Sequence, residues 1–82
     1  MLNKHTLQYC FDQARKTASS YVFVRIDAEG IEELIVIPQR SFDEKEKFYL
    51  NAYSDDLTHV INKDVKITEV SYGDERLIPR LI

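Results

Sequence analysis

Two stretches in which apolar and polar residues alternate, residues 21–26 and 31–37, flank the polar segment Asp27-Ala28-Glu29-Gly30. A period of two marks half-buried strands, so the pattern predicts a β-hairpin. Val22, Val24, Ile26 and Ala28 share one side of the first strand, and Tyr21, Phe23, Arg25 and Asp27 share the other. The aliphatic side is the expected core. Gly30 is the residue best suited to the left-handed backbone of a three- to four-residue hairpin loop, which sets the reversal near Glu29-Gly30. In the second strand Leu34, Ile35, Val36 and Ile37 are consecutive apolar residues. Either both of its sides are covered or one meets a partner. Pro38 terminates it.

Helical periodicity brackets this hairpin. Leu7, Cys10, Phe11, Ala14 and Ala18 recur at spacings of three and four and predict an amphipathic helix near the N-terminus. Asn3 is its expected N-cap, and Leu2 and Leu7 then occupy the positions of a hydrophobic staple. Arg15 and Lys16 suit the negative end of the helix dipole, and Ser19-Ser20 end the helix. Ser41 and Glu44 spell a capping box for a second helix, expected from Phe42 to about Ser54. Its stripe runs through Phe42, Tyr49, Tyr53 and Leu57, widened by Leu50, Val60 and Ile61, with Asp43 spaced to pair with Lys47. Asn62-Lys63-Asp64 reads as a turn. In the strand from Val65 to Tyr72 the apolar phase slips between Ile67 and Val70, which a bulge near Thr68-Glu69 reconciles.

The order is therefore α-β-β-α-β. A hairpin followed by a helical crossover places the third strand beside the first, giving an α+β fold: a three-stranded antiparallel sheet of order 2-1-3 with two helices on one face. Residues 1–74 are expected to form the domain, and residues 75–82 an apolar tail that docks on its own domain or on another chain.

Composition narrows the function classes. The chain has 82 residues, 44% apolar and 30% charged, with only two glycines and two prolines, which fits one folded core and excludes a disordered segment. A net charge of −3 argues against general affinity for phosphate backbones. Cys10 is the only cysteine, so no intramolecular disulfide forms and a reducing compartment fits. The first six residues are not followed by a signal-peptide pattern, and no apolar run approaches the roughly 20 residues of a membrane span. The expectation is a soluble cytoplasmic protein with no membrane association.

Chemistry is hard to find in these residues. There is no Gly-rich phosphate loop, nucleophile elbow or cysteine pair, so no catalytic, cofactor or metal site is expected and the chain reads as a non-enzyme. Cys10 reads as a buried thiol. His59, four residues after Asp55, offers too few ligands for a metal site. Asp27, Glu29, Glu32 and Glu33 at the hairpin, with Asp55-Asp56, read as solubility charges that also discourage edge-to-edge pairing. Tyr21, Phe23, Ile35, Ile37 and the tail carry surplus apolar surface, and together with Arg25, Tyr72, Leu77 and Leu81 they read as an interface for a protein partner or a second copy. The competing reading is single-stranded nucleic acid stacked on the aromatics, with Arg25 and Lys66 on phosphate. The acidic neighbours make nucleic acid the lesser candidate.

The runs Glu33-Leu34-Ile35-Val36-Ile37-Pro38, Ser41-Phe42 with Lys45 and Lys47, Phe48 through Leu57, Val65-Lys66-Ile67-Thr68 and Tyr72-Gly73-Asp74 resemble short uncharacterised proteins of phages and prophages of Gram-positive bacteria. The resemblance covers residues 21–74. It implies a host-cytoplasmic setting and an accessory role in phage replication or lysogeny.

Overall fold

A computed structural model describes residues 2–74. The chain forms helix α1 (Lys4–Lys16), strands β1 (Tyr21–Ala28) and β2 (Ile31–Pro38), a 3-10 turn (Gln39–Ser41), helix α2 (Phe42–Ala52) and strand β3 (Val65–Gly73). The three strands make one antiparallel sheet in the order β2-β1-β3. This is the expected α+β architecture.

Local chemistry explains where each element begins and ends. Asn3 is extended, and its side chain accepts from the Thr6 N–H at 3.0 Å while Thr6 reaches back to the Asn3 N–H, a reciprocal capping box. Leu2 packs against the core beneath that first turn. At the other end the Ser19 N–H donates to the Ala14 carbonyl at 2.8 Å and the Ala18 N–H to Arg15 at 3.2 Å. That is a Schellman closure, and it puts Ala18 at φ 54° in the left-handed position usually held by glycine. Ala18 therefore leaves the helical stripe on which its spacing had placed it.

The hairpin closes more tightly than its sequence predicts. Ala28 pairs with Ile31, so the loop is the two residues Glu29 and Gly30, both with positive φ, as in the turns whose twist matches that of paired strands. The Gly30 N–H donates to Asp27 Oδ1 at 2.9 Å. In β3 the register shifts between Arg25 and Ile26, so that Arg25 opposes Glu69 and Ile26 opposes Ile67. Thr68 is the extra residue. The expected bulge is there, and it turns Val65, Ile67, Val70 and Tyr72 to one side.

Four expectations at α2 and the segment after it are corrected. Ser41 makes no side-chain cap bond, because it closes a 3-10 turn with φ −107° and ψ 5° and is not extended as a capping serine must be. That turn is set by a tertiary bond from the Gln39 N–H to the Ser20 carbonyl. The helix also stops at Ala52. Tyr53 and Leu57 are buried as expected, but from an irregular segment: the Ser54 N–H donates to Thr58, the Ile67 N–H to Leu57, and Leu57 has φ 62°. Val60 and Ile61 do not join the core, Ile61 being 85% exposed. Asp43 pairs with Arg15 of α1 in place of Lys47.

The core lies between the helices and one side of the sheet. Leu7, Phe11 and Ala14 of α1 and Phe42 and Tyr49 of α2 pack with Val22, Val24, Ile26, Ile37 and Ile67 of the strands, and Tyr53 and Leu57 complete the cluster. Phe11 and Phe42 meet edge to face with centroids 5.8 Å apart. Arg15 ties the helices together, its Nη2 lying 2.7 Å from Glu46 and 2.8 Å from Asp43 and its Nη1 3.1 Å from Asp12. Among the described residues no helix is long and apolar enough to cross a membrane.

Candidate interaction surface

Register divides the sheet residues between two faces. Directly paired residues project to the same side, so Val22 with Ile37 and Tyr72, and Val24 with Ile35 and Val70, face the helices. On the opposite face Tyr21 stands between Pro38 and Gly73, Phe23 between Val36 and Ser71, and Arg25 between Leu34 and Glu69. Both helices belong to the first side, so among the described residues no helix covers the second.

The residues expected to form one interface are therefore split. Tyr21, Phe23 and Arg25 share the open face. Ile37 is a core residue at 1% exposure, Ile35 packs against that core, and Tyr72 points to the helix side at 39% exposure. The reason is the β2 phase: in a run of four apolar residues, pairing with β1 sends Ile35 and Ile37 inward and leaves Leu34 and Val36 outside. Leu34, Val36 and Pro38 are the surface residues that sequence reasoning missed. The alternation of β1 together with a two-residue loop would have found them. Leu77 and Leu81, and the proposed tail 75–82, lie outside the described residues.

The open face has two halves of different chemistry. One is apolar, built from Tyr21, Phe23, Leu34, Val36 and Pro38, and it contains a cavity of about 260 Å³ lined by Tyr21, Val36, Pro38 and Arg40. Tyr21 and Phe23 lie ring beside ring, with centroids 6.0 Å apart. Phe23 is only 4% exposed, although it is not part of the helix-side core. The other half is a charged row across all three strands: Arg25 Nε lies 3.2 Å from Glu69 and Nη1 3.7 Å from Glu32. A guanidinium held between two carboxylates is already neutralised locally, with a carboxylate in surplus.

Other candidate groups are occupied by structure. The Cys10 thiol is buried, donates weakly to the Val70 carbonyl at 3.7 Å, and has its pKa pushed up by burial, the reverse of an activated nucleophile. His59 Nδ1 accepts from the backbone N–H groups of Ile61 and Asn62, and its ring lies edge-on to Tyr53. Asp56 accepts from the Ser54 hydroxyl at 2.6 Å and from the Thr58 N–H at 3.1 Å, bonds that hold its carboxyl below the usual range. Among the described residues no group of three or more His, Cys, Asp or Glu side chains is placed to hold a metal ion. At the hairpin tip a polar hollow of about 440 Å³ mixes Asp27, Glu29 and Asp64 with Lys63 and Lys66, so the acidic patch read from the sequence is interleaved with cations.

No protein-family model, curated protein or solved structure matches the chain.

Proposed function

We propose that the protein is a small non-enzymatic interaction module that binds a protein partner or a second copy of itself through the open face of its sheet. One observation carries this reading: a contiguous apolar half-face of Tyr21, Phe23, Leu34, Val36 and Pro38 on the side of the sheet away from both helices. Apolar patches of this kind, rimmed by charge, are characteristic of protein interfaces. Half-buried Tyr21 beside the Tyr21–Arg40 cavity supplies a central anchor, backed by buried Phe23, and the Glu32–Arg25–Glu69 row supplies a polar rim. Single-stranded nucleic acid is the weaker reading, since Arg25, one of its two intended phosphate contacts, is bracketed by two carboxylates and Lys66 shares its hollow with Asp27, Glu29 and Asp64. The resemblance to phage and prophage proteins supports a cytoplasmic accessory role in an infected or lysogenic cell.

The test uses Val36→Asp, which places a charge on the open face without touching the core. Light scattering and affinity capture from a Gram-positive host lysate are expected to show self-association or a partner with the wild-type chain and its loss with Val36→Asp. Circular dichroism is expected to be the same for both. A wild-type monomer that retains nothing, or a partner retained equally by Val36→Asp, overturns the reading.

A further inference from the structure

We propose that the outer edge of β2 pairs antiparallel with the same edge of a second copy, about a two-fold axis at Ile35, and so doubles the three-stranded sheet. This surface is the rim of the sheet and does not rest on the reading of its open face. The first support is the contrast between the two outer strands. The outer side of β3 is occupied: the His59 N–H donates to the Val65 carbonyl at 2.8 Å, the Ile67 N–H to Leu57 at 2.9 Å and the Cys10 thiol to Val70 at 3.7 Å, and Thr68 bulges out of register. β2 has no such cover. Its eight residues keep unbroken register with β1, and among the described residues no backbone group outside the sheet bonds to its outer side. Glu32 and Glu33 guard the first part of that edge, and Leu34-Ile35-Val36-Ile37 leave the rest bare.

The second support is self-complementarity. The two-residue loop closes on Ala28 and Ile31 as a hydrogen-bonded pair, so the alternate residues Ile31, Glu33, Ile35 and Ile37 bond to β1. The N–H and C=O groups of Glu32, Leu34 and Val36 therefore point away from the sheet. In an antiparallel pair of identical strands the two-fold axis passes through one residue, and at Glu32 or Glu33 it would set like charges opposite each other. At Leu34 it would place the two Glu33 carboxylates diagonally across the seam, and at Val36 it would run Glu32 past the end of the strand into the 3-10 turn. Ile35 avoids both. Leu34 then opposes Val36 of the second copy, each outward N–H meets a carbonyl, and Glu32 opposes Pro38, a residue with no N–H to satisfy. Arg40, which lines the open-face cavity beside Pro38, brings the opposite charge to Glu32 of the second copy.

Helix α2 supplies the third support. It packs over β2 while α1 packs over β3 and β1, and its Asp43 and Glu46 turn toward Arg15 of α1. At 3.6 residues per turn Phe48 points about 140–160° away from those two residues, so it overhangs the β2 edge. Phe48 is 53% exposed. The helix returns along β2, and a rise of 1.5 Å per residue sets Phe48 about 9 Å back from Phe42, close to the level of Ile35. An axis at Ile35 thus gathers Ile35 and Phe48 of both copies into one apolar seam on the helix side.

Nuclear Overhauser spectroscopy on the full chain tests the register. Within one strand the α protons of Glu33 and Ile37 are about 13 Å apart, too far for a cross-peak, whereas the pairing sets them face to face across the seam. A Glu33–Ile37 α-proton cross-peak is expected in an isotope-filtered mixture of labelled and unlabelled chains, with light scattering at twice the mass of the chain. The amides of Glu32, Leu34 and Val36 are expected to exchange more slowly as concentration rises. Phe48→Glu, on an exposed position away from the open face, is expected to weaken the dimer at least about tenfold with circular dichroism unchanged. A monomer at the concentration of the resonance sample, a dimer without the cross-peak, or exchange independent of concentration overturns the proposal. A dimer without the cross-peak that survives Phe48→Glu and is lost on Val36→Asp assigns self-association to the open face instead. The cross-peak with no other protein captured upholds the edge without the open-face reading, and the cross-peak with a captured protein that Val36→Asp releases and Phe48→Glu retains upholds both.

Discussion

Alkaline pH should weaken this protein, and one buried phenol contributes a separable share of the loss. Tyr49 is among the most deeply buried residues, and burial, then the nearby Tyr53 and Glu33, push its phenol from an ordinary 10.0 up to about 12. Below pH 10 both folded and unfolded chains keep the proton, and the contribution is fully present. Between pH 10 and about 12 the unfolded chain ionises while the native one does not, so stability falls as pH rises. At pH 11 the two proton affinities differ in occupancy by about tenfold, a loss of about 1.4 kcal/mol from Tyr49 alone. Tyr49→Phe removes the ionisation and keeps the ring. Urea unfolding followed by circular dichroism at pH 8 and pH 11 is the assay. With a slope of about 1 kcal/mol/M, the wild-type midpoint should drop by about 1.4 M more than that of Tyr49→Phe. Cys10 and Tyr53, also raised by burial, contribute to both chains and cancel in the comparison. Equal drops in the two midpoints would refute the assignment.

The helix closure offers a stabilising change. Ala18→Gly relieves a left-handed alanine, a gain of about 1 kcal/mol partly offset by a more flexible unfolded chain, so the melting temperature should rise by about 3 °C. No rise would show that the strain is absorbed elsewhere. Arg15→Ala should cost about 1–2 kcal/mol by releasing three carboxylates, and a double-mutant cycle with Glu46→Gln should assign about 0.5–1 kcal/mol to that half-buried pair, against almost nothing for the exposed Asp43.

Much of the framework was legible because the periodicities were unambiguous. The aliphatic side of β1, the Asn3 cap and the Thr68 bulge each follow from a local pattern that the tertiary structure does not contest. The errors have identifiable competitors. Ser41-x-x-Glu44 is a local signal overruled by the bond between Gln39 and Ser20, on segments far apart in the chain. Tyr53 and Leu57 have helical spacing yet reach the core from a looped segment held by β3. At the candidate surface, Tyr21, Phe23 and Arg25 could be grouped from alternation alone. Ile35 and Ile37 could not be sorted from Leu34 and Val36, because a continuous apolar run carries no phase until a neighbouring strand supplies one, whereas Tyr72 is turned to the helix side by the bulge at Thr68.

Placing β1 in the middle of the sheet has a kinetic consequence. Its partner on one flank follows immediately in the chain, whereas the partner on the other comes after α2 and a long irregular segment. Hairpin closure costs little loop entropy and is fast, while recruiting the distant strand waits on a large closure. During synthesis the Tyr21–Ala28 backbone therefore stays unpaired on one flank until Val65–Gly73 has left the ribosome. For that interval the nascent chain is a template for mispairing, guarded by little more than the charges of Arg25 and Asp27.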